Sequence, residues 1–135
     1  MLRGQTTPVL LAAGRIAYGA ALTLAPARAG GRWLGSHADD AGAQVALRGL
    51  GARDLALGAG ALIALRSRQH GVAPIWLAAQ ATADATDLAS TLLARQRLPA
   101  GGVRAAVAIA GAAVGLDVAA ALALTRSERQ TAARA

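Results

Sequence analysis

The chain has 135 residues, of which 55% are hydrophobic and only 2% aromatic, with no cysteine and a formal charge of +7. That length holds one domain, 1–135, packed from Ala, Leu, Val and Gly, and the lack of cysteine excludes disulfides, thiolate metal sites and cysteine nucleophiles. The positive charge is arginine alone, and outside the apolar stretches the arginines gather in short connectors and at the tail, with hardly an aromatic residue to stack on bases; this argues against nucleic acid as a partner.

Four apolar segments follow in chain order, each near the 20 residues that a bilayer core of about 30 Å requires. They run over 7–25, stopping at Pro26, over 42–65, over 74–94, opening on Pro74, and over 103–124, before a basic tail at 126–135. The connectors "PARAGGRWLGSHADDA", "RSRQHGVA" and "RQRLPAGG" are rich in Gly, Pro and Arg and read as turns at a membrane surface. Arg3 and the run Ala27-Arg28-Ala29 imitate the flanks of a secretory signal, but Arg15 inside the first apolar segment marks it as retained.

A soluble Ala-rich bundle is the competing reading. Against it stands the fourth segment, where Asp117 is the sole charge between Ala105 and Leu124, whereas a water-facing helix carries a polar face. Trp33 and Trp76 fall at segment ends, where interfacial aromatic belts form. The expected fold is therefore all-α, an integral membrane antiparallel four-helix bundle, multi-pass in a bacterial inner membrane and in contact with lipid. Arg3, Arg66, Arg68, Arg126, Arg129 and Arg134 share one side, against Arg28, Arg32, Arg95, Arg97 and Arg104 on the other; the balance favours both termini in the cytoplasm.

Seven charges lie inside the segments: Arg15, Arg48, Arg53, Asp54, Asp84, Asp87 and Asp117. Each costs about 3 kcal/mol at mid-bilayer, roughly 20 kcal/mol together if unpaired, so they must find one another. At 1.5 Å per residue, Arg15, Arg53 with Asp54, and Asp84 share a layer. Arg48 is level with Asp87, and Asp117 lies where Arg15 or Gln80 reaches it. Gln80, Asp84, Asp87 and Thr91 form one stripe that must face inward, flanked by a hydroxyl row at Thr82, Thr86 and Ser90. In the second segment Arg53 points about 140° away from Arg48 at 100° per residue. Either that helix is central, or Gly49 to Gly51 loosens it, or one arginine faces a second copy in a homodimer. Glycines 49, 51, 58 and 60, with 111 and 115, suit close helix packing.

The stretches "GRWLG", "AQVALRGLGARDLALGAGALIAL" and "AQATADATDLASTLLAR" resemble a family of small four-helix bacterial membrane proteins, common in actinobacteria, with a DoxX-like layout and no assigned function. The resemblance runs from about Arg15 to Arg95. It implies the four-helix membrane fold and marks Arg48, Gly49, Arg53, Asp54, Asp84 and Asp87 as its most specific positions, and it brings no reaction with it.

The candidate acid–base groups are Asp84, Asp87 and Asp117. Asp84 and Asp87 form a D-x-x-D pair one turn apart, a spacing that holds Mg²⁺ and a diphosphate or serves as acid and base, though structural pairing with Arg48 or Arg53 is simpler. Asp117 has no polar neighbour on its own helix, which makes it the sharper candidate for titration. Arg15, Tyr18, Arg48, Arg53, Asp54 and Gln80 complete the network or line a ligand. His37 and His70 sit in connectors without a second ligand at metal spacing, so no metal or other cofactor is implied. Three functions fit: a membrane protein that binds a lipophilic small molecule or acts as a scaffold; a membrane isomerase, cyclase or quinone-linked oxidoreductase; or a proton-coupled transporter working as a dimer.

Overall fold

A computed structural model describes residues 6–67 and 71–134, which form five α-helices and no strand. They are α1 (Thr6–Leu24), α2 (Pro26–Leu34), α3 (Ala41–Arg66), α4 (Val72–Ala94) and α5 (Ala100–Ala132), with 3-10 turns at Gly35–Asp39 and Arg95–Arg97. Arg3, Arg68 and His70 lie outside the described residues.

Each boundary has a local cause. α1 stops at Leu24, two residues before Pro26, whose ring cannot continue the preceding helix but opens α2 at its first position. α2 ends at Gly35, whose φ of 62° is open chiefly to glycine. Asp40 then caps α3, its Oδ1 accepting from the N–H groups of Gly42 at 2.8 Å and Ala43 at 3.1 Å. α4 follows Gly71, which has φ 87° and donates its N–H to Glu128 Oε1 at 2.7 Å, so the far end of α5 fixes the start of α4.

All four apolar segments are helical, and one expectation needs correction. The first connector is not a string of turns: 26–34 is the helix α2, stabilised by packing that Gly30 on α2 and Gly102 on α5 permit. A Cβ at Gly30 would lie 2.6 Å from Leu47 Cδ1, and one at Gly102 would lie 2.5 Å from the Trp33 carbonyl, so α2 is wedged between the start of α3 and the start of α5. The basic tail is mostly helical, since α5 continues unbroken through Arg126 and Arg129 to Ala132.

Cross-helix contacts fix the directions of the four long helices. Gly19 meets Gly51 while Gly58 meets Ala12 and Ile16; Arg53 bonds Asp87 while Gln80 bonds Leu57; Gly71 before α4 bonds Glu128 near the end of α5, while 95–99 joins the end of α4 to the start of α5. In each pair rising numbers on one helix meet falling numbers on the next, so α1, α3, α4 and α5 alternate in direction, with α1 packed most extensively on α3 and α4 on α5. Leu22, Ala38 and Leu47, with Trp33 and Leu50 against them, form an apolar cluster at one end. Ala64, Leu65 and Ala73, with Val9, Trp76 and Leu124, form another at the opposite end. The buried charges lie between the two.

The helices approach most closely where α1 crosses α3. A Cβ at Gly19 would lie 2.7 Å from the Gly51 carbonyl oxygen, and one at Gly51 would lie 2.6 Å from that of Gly19, so each backbone occupies the space of the other's missing side chain. Gly58 and Gly60 also meet neighbours, whereas Gly49, Gly111 and Gly115 meet nothing within 4 Å.

The outward surface is apolar. Leu10, Leu24, Ile63, Ile75, Leu93 and Leu122 are exposed, and Ile109 is 71% exposed on α5. Among the described residues α1 and α5 are long and apolar enough to cross a membrane, and almost none of the apolar stretch of α5 is buried within the protein. The hydroxyls on this exterior are satisfied within their own helix: Thr82 donates to the Ala78 carbonyl and Thr86 to the Thr82 carbonyl, each at 2.9 Å.

Candidate functional site

The charged layer between the apolar clusters has two tiers. At the centre of the inner tier is Arg15, brought in from the middle of α1. Its Nη1 donates to Asp54 Oδ1 of α3 at 3.0 Å, and its Nη2 donates to Asp84 Oδ2 of α4. Asp117 Oδ2 of α5 lies 3.9 Å from the same Nη2, near enough for ionic attraction but beyond a hydrogen bond. One guanidinium thus ties all four long helices together. Asp54, Asp84 and Asp117 are all buried, and a charge so placed is tolerated only when paired.

The outer tier is Arg53 with Asp87. Arg53 Nη1 and Nη2 donate to the two carboxylate oxygens of Asp87 at 3.1 and 2.7 Å, a bidentate fork. Its Nε and Nη2 also donate to Asp54 Oδ1 at 3.3 and 3.1 Å. Asp54 therefore bridges the tiers, accepting from Arg15 on one side and from its chain neighbour Arg53 on the other. The outer pair is less enclosed: the side chains of Arg53 and Asp87 are 32% and 26% exposed, against 8% for that of Arg15. Tyr18, 45% exposed on α1, lies within electrostatic reach of Asp54 and Asp87.

The α4 stripe of Gln80, Asp84, Asp87 and Thr91 faces inward, with Gln80 and Thr91 buried. Gln80 Nε2 donates to the Leu57 carbonyl at 3.0 Å. Thr91 accepts from Trp33 Nε1 at 3.1 Å and donates to the Asp87 carbonyl at 2.7 Å, which ties α2 to the turn of α4 that carries the outer pair. Trp33 was legible in the sequence only as an interfacial residue; its inward ring edge follows from the unforeseen helix α2. The hydroxyl row Thr82, Thr86 and Ser90 faces outward.

Arg48 does not join the site. It is exposed, makes no ion pair or hydrogen bond among the described residues, and leaves Asp87 to Arg53. Asp87 is level with Arg53, and the side chain of Arg48 leaves α3 on the exposed face. Arg48→Ala is accordingly expected to change unfolding free energy by less than about 0.5 kcal/mol, the range of surface substitutions, measured by thermal unfolding in detergent. A larger loss would mean that Arg48 has a partner outside this chain.

Asp84 and Asp87 do not converge on a common point, because each carboxyl is held by a different guanidinium. Among the described residues no three acidic, histidine or cysteine side chains are placed to hold a metal ion together, and His37 is exposed on its 3-10 turn. The best-formed depressions, one lined by Ser127, Gln130, Thr131 and Arg134 and the other by Ser90, Leu93, Ala94, Gln96 and Arg97, are shallow and touch neither tier.

No family model matches the chain, and neither a curated protein nor a solved structure is detectably similar to it. The reading of the site therefore stands on its geometry.

Proposed function

We propose that the protein is a small multi-pass membrane protein that binds the polar head of a lipophilic small molecule at the Arg53–Asp87 edge, with the inner tier as its fixed support. The observation that carries this is the contrast between tiers. Arg15 is enclosed by carboxyls from three helices, whereas the Arg53–Asp87 pair opens outward beside Tyr18 on a surface that is otherwise apolar. A charged pair open toward lipid leaves polar valences that a ligand head satisfies, and its tail continues along the exposed apolar helices. Membrane insertion is supported by α5, whose apolar side chains have almost no protein cover. The alternating helices put the start of α1 and the end of α5 at the same end of the bundle, which in a membrane would share one side, and the arginine balance favours the cytoplasm for it. The DoxX-like resemblance fits the layout of four long helices.

Native mass spectrometry of gently extracted protein tests the reading. The unsubstituted protein is expected to carry a lipophilic adduct, and the double variant Arg53→Gln, Asp87→Asn to lose it while the inner tier keeps the bundle folded. An adduct retained by the variant would place binding elsewhere. The scaffold reading is favoured by one observation, that neither of the best-formed depressions reaches the network, and it predicts no adduct on either protein.

A further inference from the structure

The two tiers together hold four carboxyls and two guanidiniums, a net charge of −2 if every group is ionised. The surplus falls on Asp117. Its residue is 1% exposed. Its Oδ2 is 3.9 Å from an Arg15 nitrogen that already donates to Asp84, and its Oδ1 has no hydrogen-bond partner. α5 offers no help, because its nearest arginines, Arg104 and Arg126, are 13 and 9 residues away, roughly 20 and 14 Å along the helix axis. A second buried acceptor, Gln80 Oε1, is also without a donor, and it lies on the inward stripe of α4 one turn from Asp84. The interior is therefore short of donors and has more negative than positive charge.

From this geometry we infer that the inner tier is a proton-binding site, with one exchangeable proton held on Asp117. The proton removes one negative charge from a place where an ionised carboxylate lacks hydrogen bonds, and it turns one orphaned acceptor into a donor. The groups that face it are Arg15 of α1 and Asp84 of α4, with Asp54 of α3 across Arg15. Arg15 occupies the space between the acids, which suits a proton in preference to a larger cation. The site goes beyond the binding reading above: it uses none of Arg53, Asp87 or Tyr18, so either claim survives the failure of the other.

Infrared spectroscopy of the full chain in detergent at neutral pH reads the proton directly. The unsubstituted protein is expected to show the carbonyl stretch of a protonated carboxyl, shifted down in D₂O. That band should vanish in Asp117→Asn, which matches a protonated acid in size. Should Asp117→Asn not fold, Asp117→Glu keeps an acid at the position and is expected to move the band. The inference is overturned if the unsubstituted protein shows no such band, if the band survives Asp117→Asn, or if Asp117→Glu leaves it unmoved.

Discussion

Arg15→Ala is expected to cost about 4 kcal/mol of unfolding free energy, the scale for removing one partner from a buried ion pair. That is enough to abolish a monodisperse folded species in mild detergent. The cost lies in what is left behind. Asp54 keeps Arg53, but Asp84 loses its only cation and stays buried beside Asp117, which then lacks any donor from α1. Arg15→Lys should recover part of the loss, because a single ammonium has donors but lacks the fork that spans Asp54 on α3 and Asp84 on α4. The same alanine substitution made together with Asp84→Asn and Asp117→Asn should cost much less, since no stranded charge remains. Thermal unfolding followed by circular dichroism measures all three. Equal losses with and without the two asparagines would show that Arg15 acts by packing and not by charge.

Gly51→Val carries the second large effect. A Cβ at that position would lie 2.5 Å from Thr23 Oγ1, 2.6 Å from the Gly19 carbonyl and 2.8 Å from the Thr23 amide nitrogen. Two of those three atoms are backbone and cannot rotate away, so α1 and α3 must separate. Separation also draws Arg15 away from Asp54, so the loss should reach about 3 kcal/mol, the upper end for overpacking. Gly49→Ala, two residues earlier on the same helix, meets nothing within 4 Å and should be neutral or stabilising by up to about 1 kcal/mol from helix propensity. If both variants unfold at the same temperature, the α1–α3 contact is not as close as described.

Depth along a helix was legible in the sequence; azimuth was legible only in part. Counting residues put Arg15, Arg53, Asp54 and Asp84 in one layer, and hydrogen bonds join these four. The inward stripe on α4 followed from a 3.6-residue period, because Gln80, Asp84 and Thr91 had no other apolar-compatible face. The same counting put Arg48 level with Asp87 and misled, since Asp87 is level with Arg53 and Arg48 leaves α3 on the exposed face. Arg53 was the harder residue to place: its own helix gave it no companion on one face, and its long side chain reaches both the neighbouring Asp54 and Asp87 across the bundle. α2 was missed because "PARAGGRWL" has two glycines and too few residues to show periodicity; packing against Leu47 and the start of α5 makes it helical. Nor did composition show that Gly51, and not Gly49, sits at the crossing, because the two lie on either side of Leu50 in sequence and differ only in their neighbours in space.

In the proposed membrane setting the bundle turns its charges inward and its apolar side chains to lipid. The chain has no cysteine, so single cysteines introduced by substitution report that arrangement without background. Ile109→Cys on the uncovered face of α5 and Gln130→Cys near its end, both exposed in the isolated chain, are to be labelled in intact membranes with a water-soluble maleimide. A lipid-facing α5 is expected to label rapidly at position 130 once the membrane is permeabilised and essentially not at all at 109 until the membrane is dissolved in denaturant. Equal labelling of the two positions in the membrane would contradict it, because the face of α5 would then be in water.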